Sequence, residues 1–291
     1  MTSVALKNFA DLNANERTAL LTLLEDEDPA IQDLLVDQLV SYGPAALEWL
    51  QPSLSGRSGV IRRRFELIKE QLGRQENDAS FLKFCIGSES DMDLEDGLWR
   101  LARSEFPSIS IDGYRALIDS FAEVLKDRLD SVDDGEGRFA MINHYLFDEL
   151  EFSGNEENYY DPQNSYLNRV IDRRLGIPIT LSVVLLLISD RLNLPVTGIG
   201  MSGHFLCRYQ TSREEFYIDA FNRGRLLSKA ECVRFLNEGG AGFKEEYLSP
   251  VSSRAIMIRI CRNLVQIHRQ NEDADMEERI GRYVTALSRK R

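Results

Sequence analysis

The sequence predicts an α+β fold that is mostly helical, with helical segments flanking a small antiparallel sheet. Three observations carry this expectation. Apolar residues recur at helical spacing, behind capping residues, from position 13 to 150 and again after 250. Strand-like runs are confined to 196–200, 204–209 and 215–220. An apolar helix beginning at Pro178 stands directly before them.

The elements follow in order. Asn13 with Glu16 forms a capping box for a first helix that ends near Glu25. Asp28 and Pro29 open a second helix, with Ile31, Leu34, Leu35 and Leu39 on its apolar face and Gly43 closing it. A third helix covers 45–50, and a fourth covers 60–72 with Ile61, Phe65, Ile68 and Leu72 on one face. This succession resembles a HEAT-type array over 1–75. The polar stretch 75–80 reads as a linker, followed by a short helix at 81–86. An acidic segment, 91–95, precedes a helix carrying Leu94, Leu98, Trp99 and Leu101 that Pro107 stops. Tyr114, Leu117, Phe121, Val124 and Leu125 mark a long helix to Leu129, and 138–150 is a further one. Beyond the strands, Ser228 caps a helix over 229–237. Pro250 opens another through Ile256, Ile260, Leu264 and Ile267, and a last helix carries Ile280, Tyr283 and Leu287. That final pair, 248–291, resembles a tetratricopeptide-type hairpin. The tail 289–291 reads as a solvated end.

Composition bounds the function. A net charge of −12 argues against unaided binding to nucleic acid or an anionic membrane. The clusters at Arg62, Arg63 and Arg64 and at Arg173 and Arg174 read as solvated or ion-paired helix faces. Cys85, Cys207, Cys232 and Cys261 are far apart, so they read as free thiols of a reducing compartment. Three histidines without metal-ligand spacing give neither a metal nor a cofactor site. No signal-peptide pattern opens the chain, and the apolar run 181–188 is too short to cross a bilayer, so the expected location is cytoplasmic.

The chemistry concentrates between 155 and 224. Pro178 at a helix first turn leaves free N–H groups and a partial positive charge there. A thiolate at such a place is stabilised, but this first turn offers only the hydroxyls of Thr180 and Ser182. A hydroxyl needs a close base. A hairpin that pairs Tyr209 with Glu214 sets His204 opposite Asp219, close enough for the carboxylate to orient the imidazole.

The runs Gly154-Asn155, Tyr160-Asp-Pro-Gln-Asn-Ser165, Arg173-Arg-Leu-Gly-Ile-Pro-Ile-Thr-Leu-Ser182, Gly203-His-Phe-Leu206 and Ile218-Asp219 resemble the bacterial Sir-B-type transglutaminase-like core, a relative of which occurs in an F-box protein. The resemblance covers 80–236 and implies a papain-like fold, with a cysteine on a helix start facing His and Asp on a sheet. His204 and Asp219 match the last two. The cysteine does not carry over; the equivalent position falls within 178–180, with Thr180 the best match. By the same resemblance Tyr160, Asp161, Asn164, Arg173, Arg174 and Gly203 stand beside the cleft, as ligand-binding groups or as supports of its loops. Gly203 is expected to admit a close backbone approach.

Two functions stand foremost on these grounds, with a purely structural or regulatory role as a third. One is a pseudoenzyme: a non-catalytic protein- or peptide-binding module with a HEAT-like segment at 1–75, a core at 80–240 and a tetratricopeptide-like pair at 248–291. The other is a hydrolase or acyltransferase using Thr180 or Ser182, with His204 as base and Asp219 as its orienter. The oligomeric state is left open.

Overall fold

The computed structural model describes residues 9–26, 28–54, 59–87, 92–240 and 242–289. It divides into two compact units, Met1–Ala79 with Arg103–Ser108, and Ser80–Ala102 with Ile109–Arg291. Glu27, within the second helix's acidic entry, and residues 88–91, which include the start of the expected acidic segment, lie outside the described residues, as do the last two residues of the tail.

The first unit is helical. Helix α1 (Ala14–Leu23) carries the expected Asn13–Glu16 capping box, and Asp28 caps α2 (Pro29–Ser41) through the Ala30 N–H. Gly43 takes a positive φ and leads into α3 (Pro44–Leu50). Leu20, Leu24, Leu35, Leu39, Leu50, Ile61 and Ile68 make a common core. Leu34 is not part of it: at 72% exposure it faces solvent, because the buried stripe of α2 runs along Leu35, Val36, Leu39 and Val40. Helix α4 (Gly59–Gly87) continues through 75–80, so that stretch is helix and not a linker, and 81–86 is its end and not a separate helix. No Gly–Pro break interrupts it, and its polar residues there are good helix formers or tolerated on an exposed face. Arg64 is not on a solvated face either. Its buried guanidinium donates to the Leu24 and Asp26 carbonyls and so satisfies the open C-terminus of α1.

The second unit contains the sheet. Helices α5 (Leu94–Glu105, of which 94–102 belong to this unit), α6 (Ile111–Leu129) and α7 (Gly135–Asn143) precede it, and α7 passes into one wide turn over His144–Glu149. Two short strands, β1 (Ser153–Gly154) and β2 (Leu175–Gly176), pair in parallel and bracket α8 (Leu167–Arg173). Helix α9 (Pro178–Arg191) is buried on nearly every side, as its all-round apolar sequence requires. It packs on β3 (Val196–Ile199) and β4 (Leu206–Gln210). These continue through β5 (Glu215–Asp219) and β6 (Arg225–Leu227) into one antiparallel sheet in the order β3-β4-β5-β6. Helix α10 (Lys229–Glu238), capped by Ser228 as expected, packs its Cys232 and Leu236 into a cluster with Tyr217. Helix α11 (Ser253–Gln270) starts at the Ser252 cap and not at Pro250; Pro250 instead bridges to Ile199 at the edge of β3. Helix α12 (Ala274–Ser288) packs back along α11. The molecule is thus a mostly helical α+β fold with a small antiparallel sheet. No described helix is long and apolar enough to cross a membrane.

Candidate functional site

The β4–β5 hairpin pairs Tyr209 with Phe216 and Cys207 with Ile218. This is two residues away from the expected register, and His204 lies before β4, in the loop leading to it. The His–Asp contact nevertheless forms: His204 Nε2 lies 2.9 Å from Asp219 Oδ2. A slip of two residues preserves which face each side chain points to, and a slip of one would have destroyed the pair.

Both partners are held. Asp219 ends β5 at the mouth of a turn. Its Oδ2 accepts from Asn222 Nδ2 at 2.8 Å, its Oδ1 accepts from the Asn222 N–H at 3.2 Å, and its carbonyl accepts from the Gly224 N–H. Burial works against the carboxylate. The hydrogen bond and charge of His204, with the Asn222 bonds, outweigh burial and hold Asp219 below its ordinary pKa. An ionised Asp219 accepts a hydrogen bond from the His204 Nε2–H, leaving Nδ1 as the ring's unengaged nitrogen among the described residues. The loop under the imidazole is fixed from α11, where Arg259 donates to the Met201 carbonyl at 2.9 Å and the His204 carbonyl at 2.8 Å. Gly203 takes φ +75°, and no atom lies within 4 Å of where its Cβ would be. The glycine answers a backbone conformation, not the close approach expected of it.

At the start of α9, Thr180 is 1% exposed. Its Oγ1 accepts from the Ile177 N–H at 3.0 Å and donates to the Asn164 carbonyl at 2.8 Å. Ser182 is buried a further half turn in, with its Oγ 3.4 Å from the Phe205 carbonyl. Neither Thr180 nor Ser182 is among the described residues that line the cavity at His204. The cavity that His204 does line, about 200 Å³, is walled on the helix side by Ile177, Pro178 and Ile179. Tyr159, Gly203, Phe205, Arg259 and Asn263 line the rest of it.

The loop 155–165 is a polar lock between β1 and α9. Asn155 Nδ2 donates to Asn164 Oδ1 at 2.9 Å, and Asn164 Nδ2 donates to the Asn158 and Tyr159 carbonyls. Asp161 caps its own turn through the Gln163 N–H and pairs with Arg173 at 2.8 Å. Arg174 takes φ +58° and lies over the rings of Phe121 and Phe152. Asn164, Asp161, Arg173 and Arg174 therefore all hold structure around the cleft, while Tyr160 is 58% exposed. Gly154 is a glycine of close approach, since a Cβ there would sit 2.5 Å from the Phe221 ring. All four cysteines are buried, and burial pushes the thiols of Cys85, Cys207 and Cys232 up to about 12. Cys207 is buried and donates weakly to the Ser182 carbonyl.

The structure adds residues that sequence reasoning missed. Arg259 and Asn263 come from a helix read as a flanking pair, and no local motif marks them. Their only signal is a separation of four, which puts both on one face of α11. Asn222 had a better signal, as a turn residue three places after Asp219. Phe221 and Phe235 flank the imidazole, with ring centroids 6.3 and 5.6 Å away.

A family model described as Transglutaminase-like superfamily matches residues 112–262, more than half of the chain. Among curated proteins the chain is similar to two UPF0162 proteins of Xylella fastidiosa. One is 35% identical over 185 residues (62% of this chain, 66% of the relative) and the other 36% identical over 174 residues (58% and 62%). The chain thus spans slightly under two thirds of the length of these relatives. It is also 35% identical over 105 residues to F-box only protein 21 of Mus musculus, covering 33% of this chain and 17% of that protein. No solved structure matches it.

Proposed function

The chain belongs to the transglutaminase-like superfamily, and we propose that it works there as a binding module whose cleft receives a polypeptide segment without cutting or joining it. The observation that carries this reading is the state of the Thr180 hydroxyl. It is buried and bound to two backbone groups, and apolar Ile179 occupies the helix start beside His204. A nucleophile must be within hydrogen-bond reach of its base, directly or through one water. Thr180 and Ser182 instead serve the backbone, and every described cysteine is buried with a raised pKa or a partner in the core.

The surroundings of His204 support binding. Tyr159 and Tyr160 stack edge-on at 5.3 Å, and Phe221 and Phe235 stand by the imidazole. Exposed aromatic rings over a polar floor suit a peptide backbone with apolar side chains. The motif run at 154–219 favours the Sir-B-type branch of the superfamily. We read 1–75 as a HEAT-like segment, 80–240 as the core and 248–291 as a tetratricopeptide-like pair, all of them surfaces suited to protein partners. The acidic charge and free buried thiols favour a cytoplasmic setting without nucleic acid or membrane as partner.

The test is selection of a displayed random peptide library on the full chain, followed by titration of the selected peptides. Tyr160→Ala and Phe235→Ala are expected to weaken binding about tenfold or more, as truncation of an aromatic anchor does. Thr180→Val should leave binding unchanged. Peptides indifferent to both aromatic substitutions would contradict the assignment of the cleft.

A further inference from the structure

We propose that the His204 cavity is a receptor for a peptide carboxylate, a ligand class that deepens, and rests on, the binding reading above. The protein carries −12 overall, yet no Asp or Glu lines this cavity among the described residues. Its polar side chains are a guanidinium, an imidazole, a carboxamide and a phenol, from Arg259, His204, Asn263 and Tyr159. Every one of these can donate a hydrogen bond to an anion.

Arg259 is the centre of the site. Half-buried arginines elsewhere in this unit meet carboxylates: Arg173 pairs with Asp161, Arg191 with Glu95 and Arg208 with Glu215. Among the described residues Arg259 meets no carboxylate; it bonds to the Met201 and His204 carbonyls and lies over the Phe205 ring. Two carbonyl bonds leave a guanidinium with further N–H groups and a full, uncompensated charge at the cavity wall. Burial disfavours that charge, and an incoming carboxylate would relieve the penalty. Arg64 and Arg174 also meet no carboxylate among the described residues, but Arg64 is closed in by backbone carbonyls and Arg174 by two phenyl rings.

Asn263 lies one helical turn beyond Arg259 and lines the same cavity. His204 spends Nε2 on Asp219, so its Nδ1 can donate only when the ring is protonated. The cavity holds about 200 Å³, room for a carboxylate and a short stem but not for a folded domain. Its occupant is therefore a chain terminus or an acidic side chain of a peptide.

The experiment titrates the full-length chain with two matched pairs of probes by calorimetry. One pair is acetyl-Gly-Phe-Ala with a free C-terminal acid and the same peptide amidated. The other is acetyl-Ala-Glu-Ala-amide and acetyl-Ala-Gln-Ala-amide. The acid is expected to bind about tenfold or more tighter than its neutral twin in at least one pair, and the pair that responds tells a chain end from a side chain. Arg259→Gln, which removes the charge, should erase the preference; losing the two carbonyl bonds should also lower the melting temperature, so the titration is made below it, where circular dichroism shows the fold kept. Arg259→Lys should retain part of it. Equal binding of acid and neutral probes overturns the carboxylate assignment while leaving a peptide-binding cleft. Failure of all four probes to bind overturns both readings.

Discussion

Thr180 commits one hydroxyl to two backbone groups, accepting from Ile177 and donating to Asn164. Its role is that of a buried cap joining α9 to the loop 155–165. Thr180→Val, which keeps the shape, is therefore expected to cost about 1–2 kcal/mol in denaturant unfolding, and Thr180→Ser to cost much less. Asp219 makes a second claim at this scale. Its pKa is held below the ordinary carboxylate value, so its ionised form stabilises the fold. That contribution is complete above the ordinary carboxylate range and is lost as pH falls through the depressed value. Asp219→Ala should cost about 1–3 kcal/mol near neutral pH, and the gap to wild type should narrow under acid. A gap that stays constant into acid would contradict the assignment. His204 and Asp219 were legible in the sequence because strand alternation is robust to a two-residue slip. The use of Thr180 was not legible, because its acceptor is 16 residues away on an irregular loop.

Among the elements, the turn between β5 and β6 and the start of α9 decide the geometry. Gly203 and Gly224 both have positive φ, but their surroundings differ. A Cβ on Gly203 meets nothing within 4 Å, whereas one on Gly224 would fall 2.2 Å from Asn143 Oδ1. Asn143 also donates to the Gly224 carbonyl. Gly203→Ala should cost about 1–2 kcal/mol, the price of the left-handed backbone alone, and Gly224→Ala clearly more in the same unfolding experiment. At the start of α9, Ile179→Cys would place a thiol at a helix N-terminus in the cavity of His204. Its thiolate absorbance is expected to titrate below the ordinary thiol range, and His204→Ala should move it back up. The helix caps at Asn13, Asp28 and Ser228 were readable because each rests on residues within three places of the helix start. The length of α4 and the strand β6 were not. A polar helix segment and a linker share a composition, and a three-residue strand has too few positions to show alternation.

At the scale of the molecule, each unit carries its own apolar core, and the chain's two tryptophans fall one in each. Trp49 packs on the core of the first unit, and Trp99 is buried in the second. Leu39→Ala, at a fully buried site of the first unit, removes about 2–5 kcal/mol there. It should lower the unfolding midpoint seen by Trp49 in a Trp99→Phe background more than the midpoint seen by Trp99 in a Trp49→Phe background. Identical shifts would contradict the division. The cavity itself is a property of the whole second unit. Its walls come from the loop 155–165, α9, the approach to β4, and α11. Sequence reasoning found the walls that local motifs mark and missed α11, because only packing brings residues 259 and 263 to His204. The central claim is that His204 faces a cleft without a nucleophile. It is tested most directly by incubating the protein with a fluorophosphonate and weighing it intact. The account predicts an unmodified mass. A stoichiometric adduct on Thr180 or Ser182 that disappears in His204→Ala would contradict it.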